Sequence, residues 1–163
     1  MEAARLADAS DLEAVLGIGQ RIREELADHR GGAMLLAAED GGQPWRDRLT
    51  AAVEATKDEI GRDVVIVGTF DDVVFGIAVL RHRTLADDTI VGELDDFAVD
   101  AEAREVGIGE AMMNLAIERL LAAGGTGIGA RALPGDRETK NFFESFGLKA
   151  RQLLVHRDLN AEE

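Results

Sequence analysis

A strand pattern passes into a helix pattern across a short glycine-bearing turn, and this feature constrains the fold most. The apolar, strand-like run covers residues 89–99, the helix pattern covers residues 107–122, and the turn between them contains Arg104, Gly107 and Gly109. The first backbone N–H groups of a helix have no intrahelical partner, and the helix dipole makes that end positive. Because glycine has no Cβ, an anion can approach such a turn closely. The order therefore indicates a phosphate-binding turn, with an ordinary strand-to-helix turn as the alternative.

The length and composition are those of one globular domain. The chain has 163 residues, of which 46% are hydrophobic and 31% are charged, and we predict a single domain over residues 1–163. No apolar run is long enough to span a membrane, and the first residues lack the pattern of a secretory signal. The absence of cysteine excludes disulfides, thiolate zinc sites and a cysteine nucleophile, and it favours a cytoplasmic location.

The charge of the chain bears on its partners. The formal net charge is −14, from 32 acidic and 18 basic residues, which opposes binding to a nucleic-acid backbone. This balance favours a cationic small molecule or a basic peptide, while a solubilising surface is the alternative explanation for most of these acids. The three histidines are far apart in the sequence and no metal-ligand spacing is present, so we predict no metal site.

Hydrophobic periodicity predicts the element order β α α β β β α β α β. The predicted strands cover residues 5–7, 64–70, 73–80, 89–99, 126–133 and 150–157, and the predicted helices cover residues 12–26, 45–60, 107–122 and 139–146. The fold class that follows is α+β with three layers: a mixed, mostly antiparallel sheet with helices on both faces. The helix at 107–122 makes the one parallel crossover, between the strands at 89–99 and 126–133.

Local signals predict how the first two helices begin and end. Ser10 is the predicted N-cap of the first helix, with Glu13 reaching back to complete a capping box. Residues 28–43 are rich in glycine and acids, and we interpret them as a mobile connection. Gly61 is predicted to end the second helix.

The element order and the turn together resemble the GCN5-related N-acetyltransferase (GNAT) superfamily, and the resemblance covers nearly the whole chain. The superfamily's signature is Arg or Gln, two residues, Gly, one residue, and Gly or Ala; here it reads Arg104-Glu105-Val106-Gly107-Ile108-Gly109. The resemblance implies a GNAT-like acyl-CoA N-acyltransferase fold, in which the backbone amides of these six residues hold the pyrophosphate of coenzyme A. It also implies that the strand-end residues pair their backbone with the pantetheine arm as a neighbouring strand would: Phe97, Ala98 and Val99.

A second match lies in the helix predicted over residues 139–146. The superfamily's late helix commonly ends in Phe-Tyr-Glu, two residues, Gly-Phe, and three positions match it here: Phe142, Glu144 and Gly147. The resemblance implies that Asn141 and Phe142 contact the cofactor. Phe143 stands where many members carry a tyrosine that protonates the leaving thiolate, and the chain contains no tyrosine. The thiolate then leaves unassisted, through water or with another donor, or the protein is not a catalyst.

Acyl transfer to an amine needs a group that accepts the amine's proton. The resemblance points to Glu93 as this catalytic base, because its place before the signature is similar to the base position of histone-acetylating members. Strand alternation gives Asp95 the same face as Glu93 and turns Asp96 to the other face unless a bulge intervenes. Both aspartates are candidates for binding a cationic acceptor. The alternative for Glu93 is a solvated residue at the edge of the sheet.

These inferences predict an N-acetyltransferase that transfers an acetyl group from acetyl-CoA to a primary amine by direct attack in a ternary complex. The acceptor, a small-molecule or protein amine, stays open because fold does not fix function. The alternative is a non-catalytic acyl-CoA-binding or regulatory module, and an unrelated nucleotide-phosphate binder is a third reading. Only one strand's length follows Gly147 where the family usually has two. Either the acceptor pocket is open on that side or a second subunit completes it, and we hypothesise a strand that is swapped or shared in a homodimer.

Overall fold

A five-stranded sheet with its strands in chain order, β1-β2-β3-β4-β5, organises the computed structural model, which describes residues 1–38, 44–55 and 63–160. The strands are β1 (Glu2–Leu6), β2 (Val64–Phe70), β3 (Val73–Thr84), β4 (Ile90–Val99) and β5 (Gly125–Ala130). The helices are α1 (Leu12–Ala27), α2 (Gly32–Ala38), α3 (Trp45–Ala55), α4 (Ile108–Ala122) and α5 (Arg137–Ser145). Strands β1 to β4 pair antiparallel and β5 pairs parallel with β4, which confirms the mixed, mostly antiparallel sheet.

The sheet is buried on both faces, because its central strands are apolar at successive positions. On β2, Val64 and Ile66 pack in a core with α4, while Val65 and Val67 pack in a second core with α1 and α3. We refer to these two sides as the α4 face and the α1 face. Helices on both faces confirm the three-layer α+β fold class.

Close approach of α4 to the sheet depends on a glycine in β2. A Cβ on Gly68 would lie 2.4 Å from Cγ2 of Ile108 and 2.9 Å from the sulfur of Met112, and both side chains are fully buried. We expect Gly68→Ala to lower the free energy of unfolding by about 1–3 kcal/mol, because the packed core must shift to admit the methyl group. Gly129→Ala is the matched control in urea unfolding, since nothing lies within 4 Å of its added Cβ. Equal stabilities of the two variants would contradict the close packing.

The start of α1 differs from the prediction. The chain first makes a 3-10 turn over Ala9–Asp11, and the cap is Asp8, whose carboxylate accepts from the backbone N–H of Ser10 at 2.8 Å. Asp11 completes the capping box by accepting from the backbone N–H of Asp8 at 2.9 Å. The prediction of Ser10 as N-cap with Glu13 is therefore wrong. Asp8, two residues before Ser10, carries a carboxylate. This group is a stronger hydrogen-bond acceptor than the Ser10 hydroxyl, and it therefore provides the cap.

The connection after α1 also differs. The stretch 28–43, interpreted as a mobile connection, contains the helix α2, so that interpretation is wrong for its first part. Leu35 and Leu36 of this helix line a cleft on the α1 face. Residues 39–43 and the helix end predicted at Gly61 lie outside the described residues. No helix in the part of the chain that the structure describes is long and apolar enough to cross a membrane.

The last predicted strand, over residues 150–157, is not formed. This segment joins no ladder of the sheet, and Leu153, Leu154 and Val155 are between 78% and 89% exposed. A β-rich composition does not make a strand without an edge to pair with. The order therefore ends at α5, and the prediction of a sixth strand within the described chain is wrong.

Candidate active site

Strand β4 extends beyond its partner β5, and this difference in length opens an edge in the sheet. The parallel ladder joins Ile90–Leu94 to Gly125–Ala130 and ends there. From Phe97 to Val99, β4 pairs with β3 alone among the described strands. The three residues predicted to pair with a pantetheine arm therefore lie on an edge that no described strand covers.

The register decides which backbone groups face this open edge. The N–H of Asp100 donates to the carbonyl of Phe75 at 2.7 Å, and in an antiparallel pair such bonds recur at every second residue. The amide of Ala98 therefore turns towards β3, while those of Phe97 and Val99 turn towards the open edge. The carbonyl of Val99 accepts from Nε of Arg104 at 3.1 Å, which agrees with this orientation.

The signature turn brings unpaired helix donors to the end of the same edge. Glu105 and Gly107 have positive φ values of 67° and 87°, and α4 then begins at Ile108 without a side-chain cap. The first intrahelical bond is the one from Ala111 to Gly107, at 3.0 Å. The N–H groups of the three preceding residues have no partner within the helix, and together with the positive helix end they form a place for an anion.

Each signature residue has its own structural reason. A Cβ on Gly109 would lie 3.2 Å from the ring of Phe142 and 3.8 Å from Val99, so glycine allows α4, α5 and β4 to meet there. The guanidinium of Arg104 lies 3.3 Å from Glu25 on α1 and 3.9 Å from a carboxylate on α5. Arg104 thus joins the end of β4 to two helices, while the turn offers its backbone to a ligand.

Four phenylalanine rings fill the space between β4 and α5: Phe97, Phe142, Phe143 and Phe146. The ring centroids of Phe97 and Phe142 are 5.3 Å apart, and Phe143 lies 5.7 Å from Phe97. Phe143 is only 6% exposed, so the residue at the tyrosine position of the family is part of the core and donates no proton. Asn141 lies on the exposed side of α5.

A β-bulge in β4 places three carboxylates on the α1 face. Ala78 pairs with Phe97 and Leu80 with Leu94, so Asp95 and Asp96 together stand opposite the single residue between them on β3. Because two residues of β4 stand opposite one residue of β3, the alternation of faces reverses beyond the bulge. The bulge that would turn Asp96 to the face of Asp95 is therefore present, and both aspartates line the cleft beside Glu93.

The three carboxylates have different surroundings. Oε1 of Glu93 accepts from the guanidinium of Arg83 at 2.7 Å, and the Glu93 side chain is 36% exposed. Asp95 is more enclosed and touches Nε of Arg81. Burial raises the pKa of the Asp95 carboxyl above its ordinary range, although the charge of Arg81 acts in the opposite direction. Asp96 lies 3.3 Å from the guanidinium of Arg23 on α1.

Sequence reasoning missed the arginines of this cleft. The cavity has a volume of about 210 Å³, and Arg23, Arg48 and Arg81 line it together with the predicted carboxylates. Arg81 faces Glu93 across the β3–β4 ladder. Aligning the predicted strands residue by residue is the one signal that could have identified Arg81. Arg23 and Arg48 come from helices far away in the sequence. Within residues 1–38, 44–55 and 63–160, no group of three acidic or histidine side chains is arranged to bind a metal ion.

Comparisons with known proteins agree with this geometry. The profile of the acetyltransferase (GNAT) family matches residues 34–148. A tetramutant of the BH1408 protein from Bacillus halodurans is 18% identical, with a TM-score of 0.74 over 96% of this chain and 99% of the other. An acetyltransferase from Trypanosoma brucei is 21% identical, with a TM-score of 0.66 over 98% and 100% of the two chains.

A third similar structure was solved with a ligand. It is an aminoglycoside acetyltransferase from an uncultured soil metagenomic sample, in complex with sisomicin. It is 15% identical, with a TM-score of 0.62 over 99% of this chain and 97% of the other. At this identity the likeness concerns the fold. No curated protein sequence matches the chain.

Proposed function

The chain belongs to the acetyltransferase (GNAT) family, and from this premise we propose that it is an N-acetyltransferase. It transfers an acetyl group from acetyl-CoA to a primary amine by direct attack within a ternary complex. The observation that carries the proposal is the open edge of β4 beside the uncapped start of α4. A strand-like ligand arm that ends in phosphates matches both features at once.

The residues that would hold acetyl-CoA follow from this edge. The amides of the signature, Arg104 to Gly109, would bind the pyrophosphate. The backbone groups of Phe97 and Val99 would pair with the pantetheine arm, and Ala98 would line it. Phe142 would form the wall beside Gly109, with Asn141 at its exposed end.

The proposed reaction requires few catalytic side chains. The bound thioester supplies the acyl group. A C–N bond forms between the amine nitrogen and the carbonyl carbon, and the C–S bond of the thioester breaks. An N–H of the β4 edge, from Phe97 or Val99, is oriented to stabilise negative charge on the carbonyl oxygen. Glu93 would take the proton that the amine loses, directly or through a water. The thiolate needs no strong acid, because a thiol has a low pKa compared with an alcohol.

The second candidate is a non-catalytic acyl-CoA-binding or regulatory module on the same fold. The observation that favours it is the phenylalanine at position 143, whose buried ring provides no acid. Such a module would bind acetyl-CoA and leave it intact in the presence of amines.

The two functions are separated by one experiment. Calorimetry with acetyl-CoA measures binding, and release of free coenzyme A is then followed with a panel of amines that includes polyamines, aminoglycosides, amino acids and lysine peptides. Release that depends on an amine supports the enzyme, whereas binding without release supports the module. A protein that binds no acetyl-CoA contradicts both.

A homodimer belongs to the same proposal. The apolar residues Leu153, Leu154 and Val155 are exposed, and β5 is the last strand of the described sheet. We expect sedimentation velocity at micromolar concentration to show a dimer, which Leu154→Asp weakens because it places a charge in the apolar run. A wild-type protein that sediments only as a monomer would contradict this expectation.

A further inference from the structure

The cleft at the β4 bulge differs in charge from the rest of the molecule. The whole chain has 32 acidic and 18 basic residues, but four arginines and four carboxylates line the cleft. The arginines come from four segments: Arg23 of α1, Arg48 of α3, Arg81 of β3 and Arg131 after β5. An excess of acid that characterises the whole surface is therefore absent at the place where an acceptor would bind.

Two of these arginines lie next to one carboxylate. Arg81 touches Asp95, and the nearest guanidinium nitrogen of Arg131 lies 3.9 Å from an Asp95 oxygen. A distance of 3.9 Å is too long for a hydrogen bond. A guanidinium has five N–H donors, so these two arginines have more donors than one carboxylate can accept.

The other carboxylates of the cleft are already engaged. Glu93 pairs with Arg83, which stands outside the lining, and Asp96 pairs with Arg23. Asp136 caps α5 by accepting from the backbone N–H of Thr139 at 3.2 Å. The donors around Asp95 are thus the part of the cleft that a ligand can complete.

Arg131 is the arginine best placed to meet a ligand. Its side chain is 67% exposed, compared with 34% for Arg81 and 22% for Arg48. It comes two residues after Gly129 of β5, which stands beside Glu93 in the ladder and has nothing within 4 Å of an added Cβ. An acceptor can therefore lie on this bare strand between the Glu93 carboxylate and the Arg131 guanidinium.

We infer that the acceptor amine carries an anionic group a few atoms away, a carboxylate or a phosphate, which the Arg131 and Arg81 guanidiniums bind. The planar forks of arginine suit both groups. This inference rests on the proposed acyl transfer and names its substrate class.

Matched pools of amines test the inference. One pool contains the standard α-amino acids and a second contains the primary amines left when their carboxyl groups are removed; phosphoethanolamine and ethanolamine form a third pair. Release of free coenzyme A is measured with each. We expect at least about 10-fold greater kcat/KM with the anionic members, and the pair that shows the preference tells carboxylate from phosphate.

The Arg131→Gln variant tests whether Arg131 is responsible for the preference for anionic acceptors. We expect it to raise KM for the anionic acceptor about 10-fold and to change kcat/KM much less for the partner amine that lacks the anionic group. Arg119→Gln is the matched control, since Arg119 is on α4, on the opposite face of the sheet. Thermal unfolding of both variants checks that the fold is retained.

The outcomes separate this inference from the proposed function. Equal or greater activity with the amines that lack an anionic group contradicts the inference and leaves the acetyltransferase standing, and so does activity confined to polyamines or aminoglycosides. An Arg131→Gln variant that loses activity equally with both members of a pair also contradicts it. A protein that fails to bind acetyl-CoA in calorimetry contradicts the proposed function itself.

Discussion

Replacing Gly109 by tryptophan is expected to abolish the binding of coenzyme A. Gly109 is in the first turn of α4, where even a Cβ would lie 3.2 Å from Phe142 and 3.8 Å from Val99. An indole at this position has to enter the space between the turn and the β4 edge, which is where the pyrophosphate would bind. We expect the affinity measured by calorimetry to fall by about 100-fold or more, which corresponds to about 2.7 kcal/mol.

Two further variants make this test specific. Gly109→Ala adds a single methyl group that Phe142 can accommodate by a shift of its ring, and we expect it to weaken binding by about 10-fold or less. Gly127→Trp places the same indole on β5, where a Cβ makes an ordinary contact at 3.6 Å, and should leave coenzyme A affinity intact. A Gly109→Trp protein with a wild-type melting temperature and unchanged affinity would show that the cofactor binds elsewhere.

The parts of the site that the sequence predicted are those made by neighbouring residues. The turn from Arg104 to Gly109 is contiguous, so its glycines, its place before a helix and the end of β4 could all be inferred together. The strands β2 and β3 are apolar without interruption, and that pattern predicts a buried sheet covered on both faces. Local chemistry was sufficient for these features.

The arginine-lined cleft could not be predicted in the same way. Arg23 and Asp96 are 73 positions apart and meet only because α1 packs on the sheet. Asp96 reaches that face through the bulge, and one extra residue in a strand leaves no mark in a pattern of period two. The exposed segment around Leu154 is the opposite case, in which strand-forming residues have no partner edge in the described chain.

Net charge alone does not determine the charge of the acceptor, for a related reason. A total of −14 describes the sum over the surface, and it favoured a cationic acceptor. Electrostatic recognition depends instead on the few charges that face the ligand in a concave, partly dehydrated site. There the guanidiniums of Arg81 and Arg131 both face the single carboxylate of Asp95.

Replacing Glu93 by glutamine is expected to lower kcat by about 100-fold or more, which is the usual contribution of a general base. The amide is isosteric but accepts no proton, so coenzyme A affinity, which depends on the β4 edge and α4, should stay unchanged. The kcat with the best amine of the panel and the calorimetric affinity for coenzyme A measure these two effects.

Asp95→Asn is the variant that decides between two neighbouring carboxylates. Burial raises the pKa of Asp95, so the folded protein keeps this carboxyl protonated to a higher pH than the unfolded chain does. The unfolding free energy of the wild type relative to Asp95→Asn should therefore fall as the pH rises from the ordinary pKa of an aspartate to the raised pKa, and should be constant above it. If Glu93 is the base, Asp95→Asn changes KM for the amine much more than it changes kcat. A large loss of kcat in Asp95→Asn, with kcat near the wild-type value in Glu93→Gln, would transfer the role of base to Asp95.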